Sequence, residues 1–167
     1  KFYAMKMEPT SSKRQTLKFE TQILRKLQSS DMFPKFVIDG TDNSNFYCVM
    51  ELLGPNLSAI AQQMPDGHFS VEYMPKLLIC LLTILEQFHA RGYVHRDIKP
   101  QNFVVRPSGK WPICLIDFGI SRIYVDADGN HIEARDHANA MGSSLYSSPN
   151  MHDHVDLSRR DDLYSLI

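Results

Sequence analysis

From Thr16 to Leu27 the apolar side chains keep helical spacing: Leu17, Ile23, Leu24 and Leu27 fall at i, i+6, i+7 and i+10, and Glu20 takes the i+3 place among them. The spacing predicts an amphipathic helix with a carboxylate on its apolar stripe. Upstream, Tyr3-Ala4-Met5-Lys6-Met7 is a short strand-like run. Downstream, Phe36-Val37-Ile38 and Phe46-Tyr47-Cys48-Val49-Met50 are aromatic and β-branched, and the Asp-Gly-Thr-Asp-Asn-Ser-Asn stretch between them predicts a hairpin. Glu51-Leu52-Leu53-Gly54-Pro55 breaks the strand, after which helical periodicity dominates from Ala59, first briefly and then from Val71 to Ala90. Within it the apolar run Leu77 to Leu85 reads as a buried helix, far short of the ~20 residues that span a bilayer. Phe103-Val104-Val105 and Ile113-Cys114-Leu115-Ile116 are short strands around a Pro-Ser-Gly turn. Near the end, Ser158-Arg159-Arg160-Asp161 has the S-x-x-D form of a helix cap, with Asp161 returning to Ser158. The pattern is a small β-rich part followed by a mainly helical one.

Composition narrows this little. The 167 residues are 43% hydrophobic, enough for a substantial core, and 18 Lys and Arg against 19 acids leave a net charge of −1. That balance points to neither nucleic acid nor a membrane surface as a partner. Cys48, Cys80 and Cys114 lie in apolar segments and cannot all pair internally, which favours reduced, core-packed thiols in an intracellular protein, cytoplasmic or nuclear. Lys1-Phe2-Tyr3 has no signal-peptide character, so Asn56-Leu57-Ser58 reads as a chance glycosylation sequon. His152-x-His154 lacks a third ligand at zinc-like spacing and reads as a pair of surface histidines.

The chemistry is concentrated in His95-Arg96-Asp97-Ile98-Lys99-Pro100-Gln101-Asn102 and, downstream, Asp117-Phe118-Gly119. A lone Asp or Asn is as readily a turn former; it is the joint spacing that carries information. It resembles the protein-kinase signature H-R-D-x-x-x-x-N with D-F-G. A phosphoryl group in transfer spreads negative charge and asks for cations and in-line positioning more than covalent help. By that resemblance Asp97 orients or accepts the proton of the attacking hydroxyl, Lys99 neutralises the transferring phosphate, and Asn102 and Asp117 hold Mg²⁺ against ATP. Lysine within H-R-D-I-K-P resembles the serine/threonine kinases and implies a protein substrate with a Ser or Thr acceptor.

The N-terminal part supplies a second half. Tyr3-Ala4-Met5-Lys6-Met7 resembles the V-A-I-K strand, which makes Lys6 the residue on the ATP phosphates. An inward-facing Glu20 needs a cation, since burial of an unpaired charge is costly, so pairing with Lys6 accounts for both residues. The same resemblance makes the strand breaker the hinge that binds adenine, with Met50 as gatekeeper, Glu51 and Leu53 presenting backbone groups, and Ala4, Val104 and Ile116 closing over the ring.

Val49-Met50-Glu51-Leu52-Leu53-Gly54-Pro55-Asn56-Leu57, the His95–Phe103 string and Ser158-Arg159-Arg160-Asp161-Asp162-Leu163-Tyr164-Ser165-Leu166 resemble the casein kinase one superfamily, and within it the tau-tubulin kinase-like branch. The resemblance implies an α+β bilobal kinase fold, truncated, with 1–50 as the remainder of the small lobe, 51–56 as hinge and 57–167 as the first part of the large lobe. It begins in the third strand, so the glycine-rich loop precedes Lys1 and the last helices follow Ile167. It also implies that Asp162 braces the catalytic-loop backbone and that Ser143, in place of threonine, reaches Asp97 or Lys99. Ser148-Pro149-Asn150 stands where most kinases have A-P-E, so this segment needs a different anchor. Leu145 and Ala138 replace expected cations, which argues against phosphate-primed substrates. Between Arg122 and Met141 there is no Ser or Thr, and Tyr124 is the only hydroxyl, which implies competence without loop phosphorylation. The implied activity is serine/threonine phosphorylation; the alternative is an inactive pseudokinase-type scaffold or the product of a truncated gene.

Overall fold

The computed structural model describes residues 1–135 and 141–167. Its first part runs β1 (Tyr3–Pro9), α1 (Thr16–Lys26), β2 (Phe36–Thr41) and β3 (Asn45–Glu51). The strands form an antiparallel sheet in the order β1-β3-β2, with Ala4 opposite Met50 and Lys6 opposite Cys48. Because side chains alternate along a strand, Ala4, Lys6 and Glu8 share the less exposed face of β1, the face that matters for the site. In α1 the buried residues are Leu17, Glu20, Thr21, Ile23 and Leu24, so Glu20 does sit on the apolar stripe.

The hairpin is tighter than the polar stretch suggests. Asp39, Gly40 and Thr41 pair with Cys48, Tyr47 and Phe46, which leaves residues 42–44 as the turn. There the Asp42 carboxylate accepts the Ser44 and Asn45 amides, at 2.9 and 2.7 Å. A side chain at Gly40 would meet the Tyr47 hydroxyl at 2.6 Å, so a larger residue there would have to push the Tyr47 ring aside.

The second part holds α2 (Leu57–Gln62), α3 (Met74–His89), β4 (Tyr93–Val94), β5 (Phe103–Val105), β6 (Ile113–Leu115), β7 (Arg122–Ile123), α4 (Pro149–His152) and α5 (Arg159–Tyr164). Asn56 of the sequon caps α2, its side chain accepting the Ala59 amide at 2.8 Å. α3 begins at Met74, not Val71, because Pro75 belongs to a first helical turn and Val71 lies 81% exposed in the turn before it. Nor is Leu77 to Leu85 buried all round: Leu81, Ile84 and Leu85 face the core while Ile79 is 65% exposed, as 3.6-residue periodicity requires. β4 pairs with β7 and β5 with β6, both antiparallel.

The core runs between the two parts as an aromatic column. Phe118 stacks on Phe88 with centroids 5.4 Å apart, and Phe33 and His95 meet it edge-on at 6.2 and 5.8 Å. Cys48 and Cys114 are buried, Cys80 is half-buried, and all three are free thiols. No helix among the described residues is long and apolar enough to cross a membrane.

Candidate active site

A cleft of about 400 Å³ opens where the sheet faces β5 and β6. Ala4, Lys6, Glu20, Met50, Glu51, Leu53, Val104 and Ile116, which the sequence assigns to nucleotide binding, all line it, together with Asp117. Its walls are mostly apolar, with the charges gathered at one end. The Leu53 amide on its rim makes no hydrogen bond among the described residues, whereas the nearby Glu51 and Gly54 amides donate to Lys35 and Val105 carbonyls at 2.8 and 2.7 Å. One open donor beside an apolar slot fits a planar base. A larger groove of about 780 Å³ between α3 and α5 contains none of the predicted residues.

At the charged end, Lys6 Nζ donates to Glu20 Oε1 at 2.6 Å and lies 3.3 Å from Asp117 Oδ1. Burial works against the ammonium, but Glu20 and Asp117 outweigh it and raise the Lys6 pKa; burial in turn pushes the Glu20 carboxyl up against the pull of Lys6. α1 is held from its other end as well. Gln15 at its N-cap spends its side chain on the Thr10 carbonyl and does not cap the helix; Glu8, on the same face of β1 as Lys6, accepts the Leu17 amide at 3.0 Å and the Thr16 amide at 3.3 Å instead. An anion there also suits the helix dipole.

The catalytic loop lies between β4 and β5. Asp97 Oδ2 accepts Lys99 Nζ at 2.6 Å and Asn102 Nδ2 at 3.1 Å, and Oδ1 accepts the Ser143 hydroxyl at 2.8 Å. Lys99 also donates to Ser143 Oγ at 2.8 Å, so Ser143 reaches both partners at once. Burial would raise the Asp97 carboxyl, but Lys99, Ser143 and Asn102 together hold it below the usual range. Such a weak base orients a hydroxyl better than it ionises one. Asn102 spends its amide nitrogen on Asp97 and keeps its oxygen for a cation, and Asp117 has a half-exposed carboxylate; two hard oxygen donors of this kind suit Mg²⁺ shared with phosphate.

Both loops carry strained backbone. Arg96 and Asp117 have φ of 69°, unusual away from glycine, and Asp162 of α5 compensates the first by accepting the His95 and Arg96 amides, each at 2.8 Å. Asp162 also takes His89 Nε2 at 2.8 Å, which makes it the buried brace that the resemblance implied. Arg96 itself donates to the Ile120 carbonyl at 2.7 Å.

Three further contacts escaped sequence reasoning. Glu51, besides its place in the cleft, pairs with the buried Arg106 at 2.7 Å; an arginine directly after an apolar strand was the available signal. Gly142 has φ of 105° and no room for a side chain, since a Cβ would come within 2.5 Å of the Arg96 carbonyl. Arg122 and Arg135 both close on Asp156. Ala138, read above as replacing a cation, lies outside the described residues. Among the described residues no three His, Cys, Asp or Glu side chains gather as a metal cluster.

The sequence family described as protein kinase domain matches residues 1–166. A protein named as a probable serine/threonine-protein kinase in Dictyostelium discoideum is 41% identical over 165 residues, which are 98% of this chain and 33% of that relative. The serine/threonine-protein kinase spe-6 of Caenorhabditis elegans is 34% identical over 165 residues, 98% of this chain and 44% of its own length. The chain thus spans between a third and a half of the curated relatives it matches. A match over nearly every residue, joined to a Lys6–Glu20 pair over an apolar cleft and a braced Asp97 loop, means that the chain belongs to the protein kinase domain family.

Proposed function

We propose that the protein carrying this chain is a serine/threonine kinase that transfers the γ-phosphoryl group of ATP to a protein hydroxyl. The observation that supports the reading is the convergence of Lys99 and Ser143 on Asp97, a cation beside a carboxylate, as orienting an acceptor hydroxyl toward a phosphate would require. Lys6 would hold the α- and β-phosphates, with Met50, Glu51 and Leu53 around the base and Ala4, Val104 and Ile116 above and below it. Asn102 and Asp117 would hold Mg²⁺, which when bound neutralises charge on the phosphates. Residues 1–50 would belong to the small lobe, 51–56 to the hinge and 57–167 to the large lobe. The strings Glu51-Leu52-Leu53-Gly54-Pro55 and Ser158-Arg159-Arg160-Asp161-Asp162 favour the casein kinase one superfamily and its tau-tubulin kinase-like branch. Asp97, Lys99, Asn102 and Asp117 fill every catalytic position visible in this chain, so no observation favours the scaffold alternative.

In the full-length protein, Asp97→Asn and Asp117→Asn should each lower turnover by ~10²–10⁴ while leaving the fold intact, and phosphatase treatment should leave parental activity unchanged. Near-parental turnover in both purified variants, with contaminating kinase excluded, refutes the assignment.

A further inference from the structure

Asp161 carries more bonds than a helix cap requires. As the third residue of α5 it closes the capping box with one oxygen, Oδ2, which accepts the Ser158 amide at 2.7 Å. Its other oxygen is directed out of the helix. Oδ1 accepts the Ser148 hydroxyl at 2.6 Å and Asn150 Nδ2 at 2.7 Å, and both Asp161 and Ser148 are only 4% exposed. Capping does not call for these two bonds. They tie α5 to the Ser148-Pro149-Asn150 segment, where the sequence lacks the glutamate of A-P-E.

The tied segment leads straight to Asp97. Ser143 donates its amide and its hydroxyl to Asp97 Oδ1 at 3.0 and 2.8 Å, and the Tyr146 amide and Ser147 hydroxyl both return to the Ser143 carbonyl, at 3.0 and 2.9 Å. Residues 143–148 are therefore a compact turn fixed at two ends, Asp97 and Asp161, with Leu145 standing 84% exposed between them. The neighbouring carboxylate, Asp162, fixes the catalytic-loop backbone at His95 and Arg96. Two consecutive acids at the start of α5 thus hold the two sides of the acceptor site.

We propose that Asp161 is a positioning residue that sets residues 143–148 against Asp97 through Ser148 and Asn150, and so governs the binding of the acceptor peptide. The proposal rests on the kinase reading above. A charge-assisted, buried hydrogen bond is directional, which suits a part that must be held to a fraction of an ångström. It is also specific in polarity: Asn150→Asp sets carboxylate against carboxylate, and adding Asp161→Asn restores one donor facing one acceptor.

The test uses the full-length protein with Asn150→Asp, Asn150→Asp/Asp161→Asn and the milder Ser148→Ala/Asn150→Ala, the last in case like charges prevent folding. Amide exchange across residues 143–148 reads the anchor without activity, peptide kcat/KM reads its consequence, and ATP affinity reads the rest of the site. Asn150→Asp should speed exchange and lower peptide kcat/KM roughly 10–100-fold, with ATP affinity unchanged. The reversed pair should recover both, and the alanine variant should fall between. Exchange and kcat/KM at parental values in Asn150→Asp and in the alanine variant overturn the proposal. So does joint loss of ATP binding and peptide turnover that the reversed pair does not rescue, which marks Asp161 as a general stability residue. A parental protein that binds ATP but phosphorylates no peptide overturns the kinase reading and the positioning role with it, even where the exchange pattern holds.

Discussion

The Lys6–Glu20 pair offers a quantitative test because its two ends sit in different surroundings. Glu20 leaves only 9% of its side chain exposed, whereas Lys6 leaves 41%. Breaking a fully buried pair from one side costs about 3–5 kcal/mol. The open side of Lys6 lets water screen the charges, so the cost of orphaning Glu20 should fall to about 2–3 kcal/mol. If that distorts the ATP-bound state in full, it corresponds to about 30–160-fold in kcat/KM for ATP. Lys6→Ala loses the phosphate contact as well and should be the more severe single change. Glu20→Ala should be milder, because Asp117, 3.3 Å away, remains a partner for Lys6. The double variant leaves no orphaned carboxylate, so a cycle of kcat/KM for ATP should show a coupling of about 1–3 kcal/mol, with the double change costing less than the sum. Additivity to within about 0.5 kcal/mol would mean that the pair does not act as a unit in the working enzyme.

Other expectations follow from single positions. Gly142→Ala places a Cβ 2.5 Å from the Arg96 carbonyl at φ of 105°, so about 1–3 kcal/mol of strain should lower Tm, and displacement of the adjacent Ser143 should lower kcat; a variant with parental Tm and kcat would contradict the geometry. His95 is buried with both ring nitrogens engaged, Nε2 to the Ile116 carbonyl and Nδ1 to the Asp97 amide, and burial holds its pKa below the ordinary 6.5. It stays neutral when folded, so its contribution to stability is complete above pH 6.5 and is lost as pH falls from there toward the folded pKa, by at most about 1.4 kcal/mol per pH unit; unfolding titrations of His95→Gln should lack that slope, and an unchanged slope would assign it elsewhere. Leu145→Arg should shift preference toward phosphorylated peptides through a lower KM, measured as kcat/KM for matched primed and unprimed peptides, and a strong primed preference in the parent that Leu145→Arg leaves unchanged would place recognition at another basic site.

How far these positions could be read from the sequence depended on how locally each was encoded. Glu20 was legible because it interrupts an apolar period, and Lys6 because that interruption demands a cation. Asp97, Lys99, Asn102 and Asp117 were legible because one loop and one short turn carry all four. Glu8 was not: it caps a helix from a strand, and neither segment has a pattern that points to the other. Arg106 and Glu51 are 55 residues apart, and although an arginine directly after an apolar strand hints at a partner, nothing in the sequence says that the partner is Glu51. The misplaced start of α3 and the overlong hairpin turn have a related cause. Periodicity states which face a residue takes once an element exists, but the backbone geometry of Pro75 and the sheet pairing of Gly40 decide where the element starts and stops.

The loop arginines show the same limit with a larger consequence. Counted along the chain, Arg122 and Arg135 look available for an incoming phosphate, and only the surrounding acids argue against it. In the fold Asp156 takes both, with its side chain 6% exposed and, despite burial, its carboxyl held well below the usual range by the two guanidiniums. Arg96, the arginine that a loop phosphate would meet, is already bonded to the Ile120 carbonyl and lies close enough to Arg122 and Arg135 to feel their charge. A phosphate entering this cluster would have to displace a buried carboxylate from two partners, leaving one charge orphaned for each new pair formed. The anion at the meeting point of Arg122 and Arg135 is a permanent side chain. The absence of Ser and Thr between Arg122 and Met141 and the presence of Asp156 are then two sides of one arrangement, in which the anion that holds Arg122 and Arg135 is built into the sequence.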